Sequence, residues 1–268
     1  MKNIWNKIPA WLKAIVLNFI LLFPMLILVQ NSVNINLTSN ASWGWALLVI
    51  IPVLFIFWIL VNKWNPFKGP EDVQLELTFN PKDSKNWYRM VALILITVSA
   101  VQLFFIAFKV ENTLQIEYFE QFRAYGPLVT IPLLLGLALN AGIVEEVIYR
   151  GFIQNTLMSA YPKWLALLGV GALFVFAHFL PLPLILAYFL VSTAFSLVAD
   201  ELKSTGVGLI AHVVVDFLLF LNFYYEAIDL LSPDSIHLGI FGFLIGIYLL
   251  FKESSFHFSN KKQMSYQV

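Results

Sequence analysis

The sequence contains no cysteine among its 268 residues. This absence excludes disulfide bonds, cysteine-liganded zinc and a cysteine nucleophile. Charged side chains are also scarce, at 12% of the chain, about half of the roughly 25% found in soluble domains. The formal net charge is zero, so the composition gives no reason to expect binding to nucleic acid.

Long apolar runs account for the scarcity of charge. Hydrophobic residues make up 60% of the chain, and runs of about 18 apolar residues match the hydrocarbon thickness of a bilayer. Within lipid a single segment can satisfy its backbone polar groups only as a helix, and the alternating strands of a barrel are absent from the pattern. The sequence therefore predicts an all-α integral membrane protein with about eight transmembrane helices. The segments are 11–30, 43–62, 89–108, 127–149, 164–180, 184–200, 205–225 and 236–251.

The first apolar run, at 14–29, follows three lysines and so resembles a signal peptide. No small-residue cleavage site follows it, and we expect it to be retained as the first helix. An even number of helices places both termini on one side, and that side would hold 14 of the 16 lysine and arginine residues, all except Lys109 and Arg123. The positive-inside rule then predicts cytoplasmic termini.

Ionisable residues inside spans are costly, and each one asks for a reason. In the fourth segment Glu146 and Arg150 are four residues apart on one helix face, which predicts an ion pair. Glu145 is turned about 100° away and can face a different neighbour. The alternative interpretation is a charged helix end at the cytoplasmic surface.

Two later segments carry the other candidates, His178 and the i,i+4 pair His212 and Asp216. A lone buried histidine is often only hydrogen-bonded to a backbone carbonyl, and the His–Asp pair alone could be an orienting pair or part of a proton path. Glu145 reaches the depth of the histidines only if its helix continues past Arg150. Nothing stops that helix before Pro162, and we expect it to run to about Met158.

These residues form motifs that resemble a known family. EEVIYRG at 145–151, FVFAH at 174–178 and HVVVD at 212–216 match, in order, the EExxxR, FxxxH and HxxxN/D motifs of the CPBP family. That family groups type II CAAX prenyl proteases with bacterial bacteriocin-processing and immunity proteins. The resemblance covers roughly 127–225.

The resemblance implies an intramembrane glutamic endopeptidase without a metal or another cofactor. Glu145 would be the general base that activates water, and His178 would share that water. His212 and Asp216 would lie where the family stabilises the oxyanion. The remaining motif residues, Glu146, Arg150 and Phe174, would support the site.

The last motif ends in Asp216, where well-studied eukaryotic members have asparagine. An ionised aspartate cannot donate a hydrogen bond to an oxyanion. Either Asp216 is protonated, or it orients His212 and His212 alone donates.

The resulting division of the chain has six parts. They are an amino-terminal transmembrane hairpin (1–62), a cytoplasmic loop with room for a short strand or hairpin (63–88), a third transmembrane helix with an external loop (89–126), a CPBP-like catalytic core (127–225), a last transmembrane helix (226–251) and a polar cytoplasmic tail (252–268). In the last helix, the GxxxG spacing of Gly242 and Gly246 predicts close helix packing.

Three rival functions are weighed against a protease. A metal site could use the two glutamates, two histidines and the aspartate, but HExxH spacing is absent and Arg150 beside the carboxylates disfavours a cation. A non-catalytic scaffold or bacteriocin self-immunity protein is the main alternative, and a proton-relaying transporter lacks a visible inverted repeat. The expected partners are a peptide or membrane-protein substrate and the lipid bilayer, with the oligomeric state left open. A composition rich in Ile, Phe, Asn and Lys favours a bacterial plasma membrane.

Overall fold

The computed structural model describes residues 5, 7–63, 79–108, 121–178, 182–225 and 232–252. Every regular element within these ranges is helical. We label the helices in chain order as α1 (Ala10–Thr38), α2 (Leu47–Lys63), α3 (Ser84–Phe108), α4 (Pro127–Met158), α5 (Lys163–His178), α6 (Leu182–Leu202), α7 (Gly206–Tyr225) and α8 (Ile236–Phe251). A short 3-10 turn, Pro233–Ser235, leads into α8.

Six helical segments are long and apolar enough to cross a membrane, with α8 counted together with the 3-10 turn before it (Pro233–Phe251), while α2 and α5 are shorter apolar helices. The all-helical membrane fold is thus confirmed for the described ranges. As expected, α4 continues past Arg150 and ends at Met158. The predicted third span begins too late, because α3 starts at Ser84 with a polar first turn that hydropathy does not detect. The predicted strand or hairpin in the preceding loop lies largely at 64–78, outside the described residues.

Helix α3 lies at the centre of the carboxyl-terminal half, where it packs against α6, α7 and α8. Its closest partner is α8, whose glycines face it. A Cβ added at Gly242 or Gly246 would lie within 2.8 Å of α3 side-chain atoms, those of Ser99 and Ile96. The GxxxG spacing therefore serves packing within the chain.

A cluster of charges gathers the ends of α3, α6 and α8 at one end of the bundle. Arg89 is fully buried and binds Glu201 through Nε at 2.6 Å and Nη2 at 3.0 Å. Lys85 joins the same carboxylate at 2.9 Å, and Arg89 Nη1 donates to the Leu249 and Lys252 carbonyls. Our charge count placed Arg89 and Arg150 in loops. Both are buried within helices, so neither is a loop charge for the orientation rule.

The backbone departs from α geometry at two places that face each other. Residues Asn18–Leu22 of α1 and Ala141–Ile153 of α4 are π-helical, and the two segments pack together. The wider winding ends where the Gln154 N–H bonds to the Tyr149 carbonyl, five residues earlier. Segments of this kind occur frequently at functional sites.

Candidate active site

The π segment of α4 carries both glutamates and buries them. Glu146 is fully buried, and its Oε1 lies 3.0 Å from Arg150 Nη1 and 2.9 Å from His212 Nδ1. The predicted Glu146–Arg150 ion pair is confirmed, and the alternative of a surface-exposed helix end is wrong. Since this carboxylate is held by two partners, its position is fixed.

Glu145 is turned toward the histidines of two other helices. Its Oε2 lies 3.8 Å from His178 Nε2 and 3.9 Å from His212 Nε2. Both separations exceed a direct hydrogen bond, and no described group hydrogen-bonds to this buried oxygen. The structure therefore brings the three motifs together around one carboxylate oxygen, and the expected common depth of Glu145 and His178 is confirmed.

The ring of His178 is held by Phe174, one turn earlier in α5. Nδ1 lies 2.7 Å from the Phe174 carbonyl oxygen, which only accepts, so Nδ1 carries a proton. In the neutral ring, Nε2 is then an acceptor that faces Glu145. The Phe174 ring packs against the imidazole, with centroids 4.3 Å apart and the ring planes tilted by 34°. The hydrogen bond to a backbone carbonyl that a lone buried histidine often makes is therefore present, and the same ring also faces the Glu145 carboxylate.

His212 lies between three carboxylates. Its Nδ1 pairs with Glu146, while Nε2 lies 3.5 Å from Asp216 Oδ2 and 3.9 Å from Glu145 Oε2. Because an ionised Glu146 only accepts, Nδ1 of His212 carries a proton. Donation from Nε2 therefore requires the doubly protonated ring, and the adjacent carboxylates supply its counter-charge.

A cavity of about 240 Å³ opens onto these groups. The acidic, arginine and histidine residues of its wall are the six motif residues Glu145, Glu146, Arg150, His178, His212 and Asp216. Other parts of the wall come from α3, through Thr97 and Val101, and from α6 and α7, including Tyr188 and Phe220.

Several residues that hold the site were not found from the sequence. Arg150 Nη2 donates to the carbonyl and hydroxyl of Ser192, each at 3.1 Å. One turn further along both helices, Gln154 Nε2 donates to the Ser196 carbonyl. Arg150 and Gln154 are four residues apart, and so are Ser192 and Ser196. This shared spacing is visible in the sequence, but it does not by itself show that the two helices are neighbours.

Gly208, near the amino-terminal end of α7, was also missed. A Cβ at this position would lie 2.8 Å from Glu146 Oε2, so a larger residue would force the carboxylate or α7 to shift. Glu146 thereby lies close to the positive end of the α7 dipole. Among the described residues, no group of His, Asp and Glu side chains is arranged to hold a metal ion.

Comparison with known proteins bears on the segment that contains these motifs. Residues 127–218 match the family model described as type II CAAX prenyl endopeptidase Rce1-like. This segment is Rce1-like. The resemblance seen in the motifs is thus confirmed for this segment, and the family that it resembles is one of endopeptidases. The Rce1-like segment includes every acidic, arginine and histidine residue of the cavity wall, whereas Thr97 and Val101 precede it. No curated protein and no solved structure matches the chain.

Proposed function

We propose that this chain is an intramembrane endopeptidase that hydrolyses a peptide bond with water activated by Glu145 and His178. The observation that carries the proposal is the position of Glu145 Oε2, 3.8 and 3.9 Å from two imidazole nitrogens within a cavity among apolar helices. A single water can bridge polar groups at such separations. The similarity of residues 127–218 to type II CAAX prenyl endopeptidases supports the same chemistry.

In the proposed reaction Glu145 is the general base. It takes a proton from water as the water oxygen bonds to the scissile carbonyl carbon, and Nε2 of His178 orients the same water by accepting its second hydrogen. The tetrahedral intermediate then collapses, the C–N bond breaks, and Glu145 returns the proton to the departing amine. The products are one peptide with a new carboxyl terminus and one peptide with a new amino terminus.

His212 is proposed to stabilise the oxyanion. With Nδ1 bonded to Glu146, the Nε2–H of the protonated ring is the donor that reaches the cavity. A preorganised donor in a water-poor site contributes strongly to catalysis. Asp216, whose Oδ2 is 3.5 Å from that nitrogen, orients the ring and balances its charge.

The proposed setting is a plasma membrane crossed about eight times, with both termini cytoplasmic. Lys85 pairs with Glu201, and Lys163 and Lys203 pair with Asp200, so three lysines of the predicted cytoplasmic side lie together at one end of the bundle, which supports this orientation. The proposed substrate is a peptide or the tail of a membrane protein. The Rce1-like match makes a prenylated CAAX peptide the first probe.

The test is cleavage by purified protein in detergent. The probe is an internally quenched peptide with a farnesylated CAAX terminus, compared with the same peptide without the lipid. Wild type is expected to cleave at least one of them, and Glu145→Gln, which keeps the shape of the side chain, is expected to abolish cleavage. Mass spectrometry of membranes from cells with either protein would show which natural peptides depend on Glu145.

The matched control is Asp234→Asn, the same loss of a carboxylate at an exposed position before α8. Its activity should equal that of wild type. Equal cleavage by wild type and Glu145→Gln would reject the mechanism. An unchanged cellular phenotype in Glu145→Gln, with no substrate accumulating, would instead support the scaffold or immunity role.

A further inference from the structure

The first helix contacts Tyr149, a chain neighbour of the site residue Arg150, through the buried side chain of Asn18. Asn18 is only 1% exposed, within an otherwise apolar part of α1, and its Oδ1 accepts a 2.8 Å hydrogen bond from the Tyr149 hydroxyl. Burying an amide without a partner is costly, so this bond specifies how the two helices meet. Both residues belong to the π-helical segments that pack against each other.

Tyr149 lies among the residues that perform the proposed chemistry. It is fully buried, and it precedes Arg150 in the same π segment as Glu145. Its ring meets Phe174 edge to face, with centroids 5.0 Å apart. A rotation of Tyr149 would therefore remove one wall of the pocket that holds Phe174.

Phe174 in turn determines the orientation of His178. Its carbonyl oxygen accepts a hydrogen bond from His178 Nδ1, and its ring packs against the imidazole with centroids 4.3 Å apart. The contacts thus form a continuous path from Asn18 through Tyr149 and Phe174 to the imidazole that faces Glu145.

We propose that Asn18 is a positioning residue of the active site, acting through Tyr149 and Phe174 on the ring of His178. This inference rests on the proposed function and deepens it, because it places a determinant of catalysis in α1, more than 100 residues before the Rce1-like segment. Asn18 touches neither the cavity nor the reacting atoms. Its effect is on the geometry of the residue that orients water.

The main test compares Asn18→Leu with Asn36→Leu. Asn36 is a matched control because it lies in the same helix, is also 1% exposed, and is also hydrogen-bonded, to Ala46 N and the Trp43 carbonyl. Asn18→Leu should lower kcat about tenfold, as expected for a displaced catalytic group, with KM unchanged. Asn36→Leu should lower thermal stability and leave kcat of the folded protein unchanged.

A double-mutant cycle identifies the path. Tyr149→Phe should lower kcat by a similar factor, and adding Asn18→Leu to it should cause no further loss, because both substitutions remove the same hydrogen bond. Additive losses would contradict action through Tyr149. Equal kcat values for Asn18→Leu and Asn36→Leu would overturn the positioning role and leave only a tether between helices.

A spectroscopic measurement separates this inference from the proposed function. The chain has four histidines, so ¹⁵N-histidine labelling gives few ring signals to assign by substitution. Asn18→Leu should shift the ring nitrogen signals of His178, and Asn36→Leu should not. If wild type cleaves no probe, the His178 signals alone decide: a shift supports the inference although the proposed function fails, and unmoved signals overturn it.

Discussion

Two glutamates with buried side chains in this bundle, Glu201 and Glu145, differ in how completely their carboxylate oxygens are paired. Glu201 Oε2 accepts a hydrogen bond from Arg89 Nε at 2.6 Å, and Glu201 Oε1 pairs with Arg89 Nη2 and Lys85 Nζ. Glu145 is also enclosed by helices. Its Oε2 lies 3.8 and 3.9 Å from two imidazole nitrogens and has no direct hydrogen bond to a described group. The first arrangement joins helix ends, whereas the second places a carboxylate at the wall of a cavity.

Glu145→Gln should produce the largest effect in this comparison. Removing the proposed general base should reduce kcat by about 10³-fold, within the range for general acid–base catalysis. The melting temperature in detergent should stay within a few degrees of the wild-type value, because the substitution removes no direct hydrogen bond. A large drop in melting temperature would place Glu145 with Glu201 as a structural carboxylate.

Glu201→Gln should show the opposite pattern. The bidentate contact with Arg89 would lose its charge within a site where both side chains are at most 1% exposed. Breaking such a pair by removing one charge costs about 3 kcal/mol. Thermal unfolding should register the loss, while kcat per folded molecule stays near the wild-type value.

Gly208→Ala tests whether the approach to Glu146 matters. The added Cβ would lie 2.8 Å from Glu146 Oε2, and this carboxylate is tied to Arg150 and His212 and cannot move freely. We expect kcat to fall about tenfold through displaced groups. The control is Gly126→Ala, where the new Cβ meets nothing within 4 Å and activity should be retained. Equal activity of the two variants would show that Glu146 tolerates displacement.

Asp216→Asn should have the smallest effect. Asparagine keeps the shape and brings its own N–H donor to the oxyanion position, while it removes the counter-charge beside His212. The two changes oppose each other, and kcat should change by less than about tenfold. Asp216→Ala, which provides neither, should lose more. If both variants lose activity equally, the carboxylate charge is essential.

Much of the site could be predicted from the sequence because its residues are costly to bury. Charged side chains within apolar segments are few, so Glu145, His178 and His212 could be singled out without a structure. The extension of α4 to Met158 followed from the requirement that these residues share a depth. Catalytic roles for these residues stay predictions.

The supporting contacts could not be predicted, for a physical reason. In a membrane protein the surface facing lipid and the surface facing other helices are both apolar, and hydropathy therefore does not show which helices are neighbours. The Ser192 contact of Arg150 and the Asn18 contact of Tyr149 both depend on that neighbourhood. The π winding of α4 likewise has no signature in the residue pattern.

The participation of α3 in the cavity wall limits what can be learned from a shortened chain. Thr97 and Val101 close one side of the cavity and come before the family-matched segment. A fragment beginning at α4 would contain every acidic, arginine and histidine residue of the cavity wall, but it would lack the side that α3 covers. An inactive fragment would therefore not test the proposed chemistry, because it would also lack one wall of the cavity.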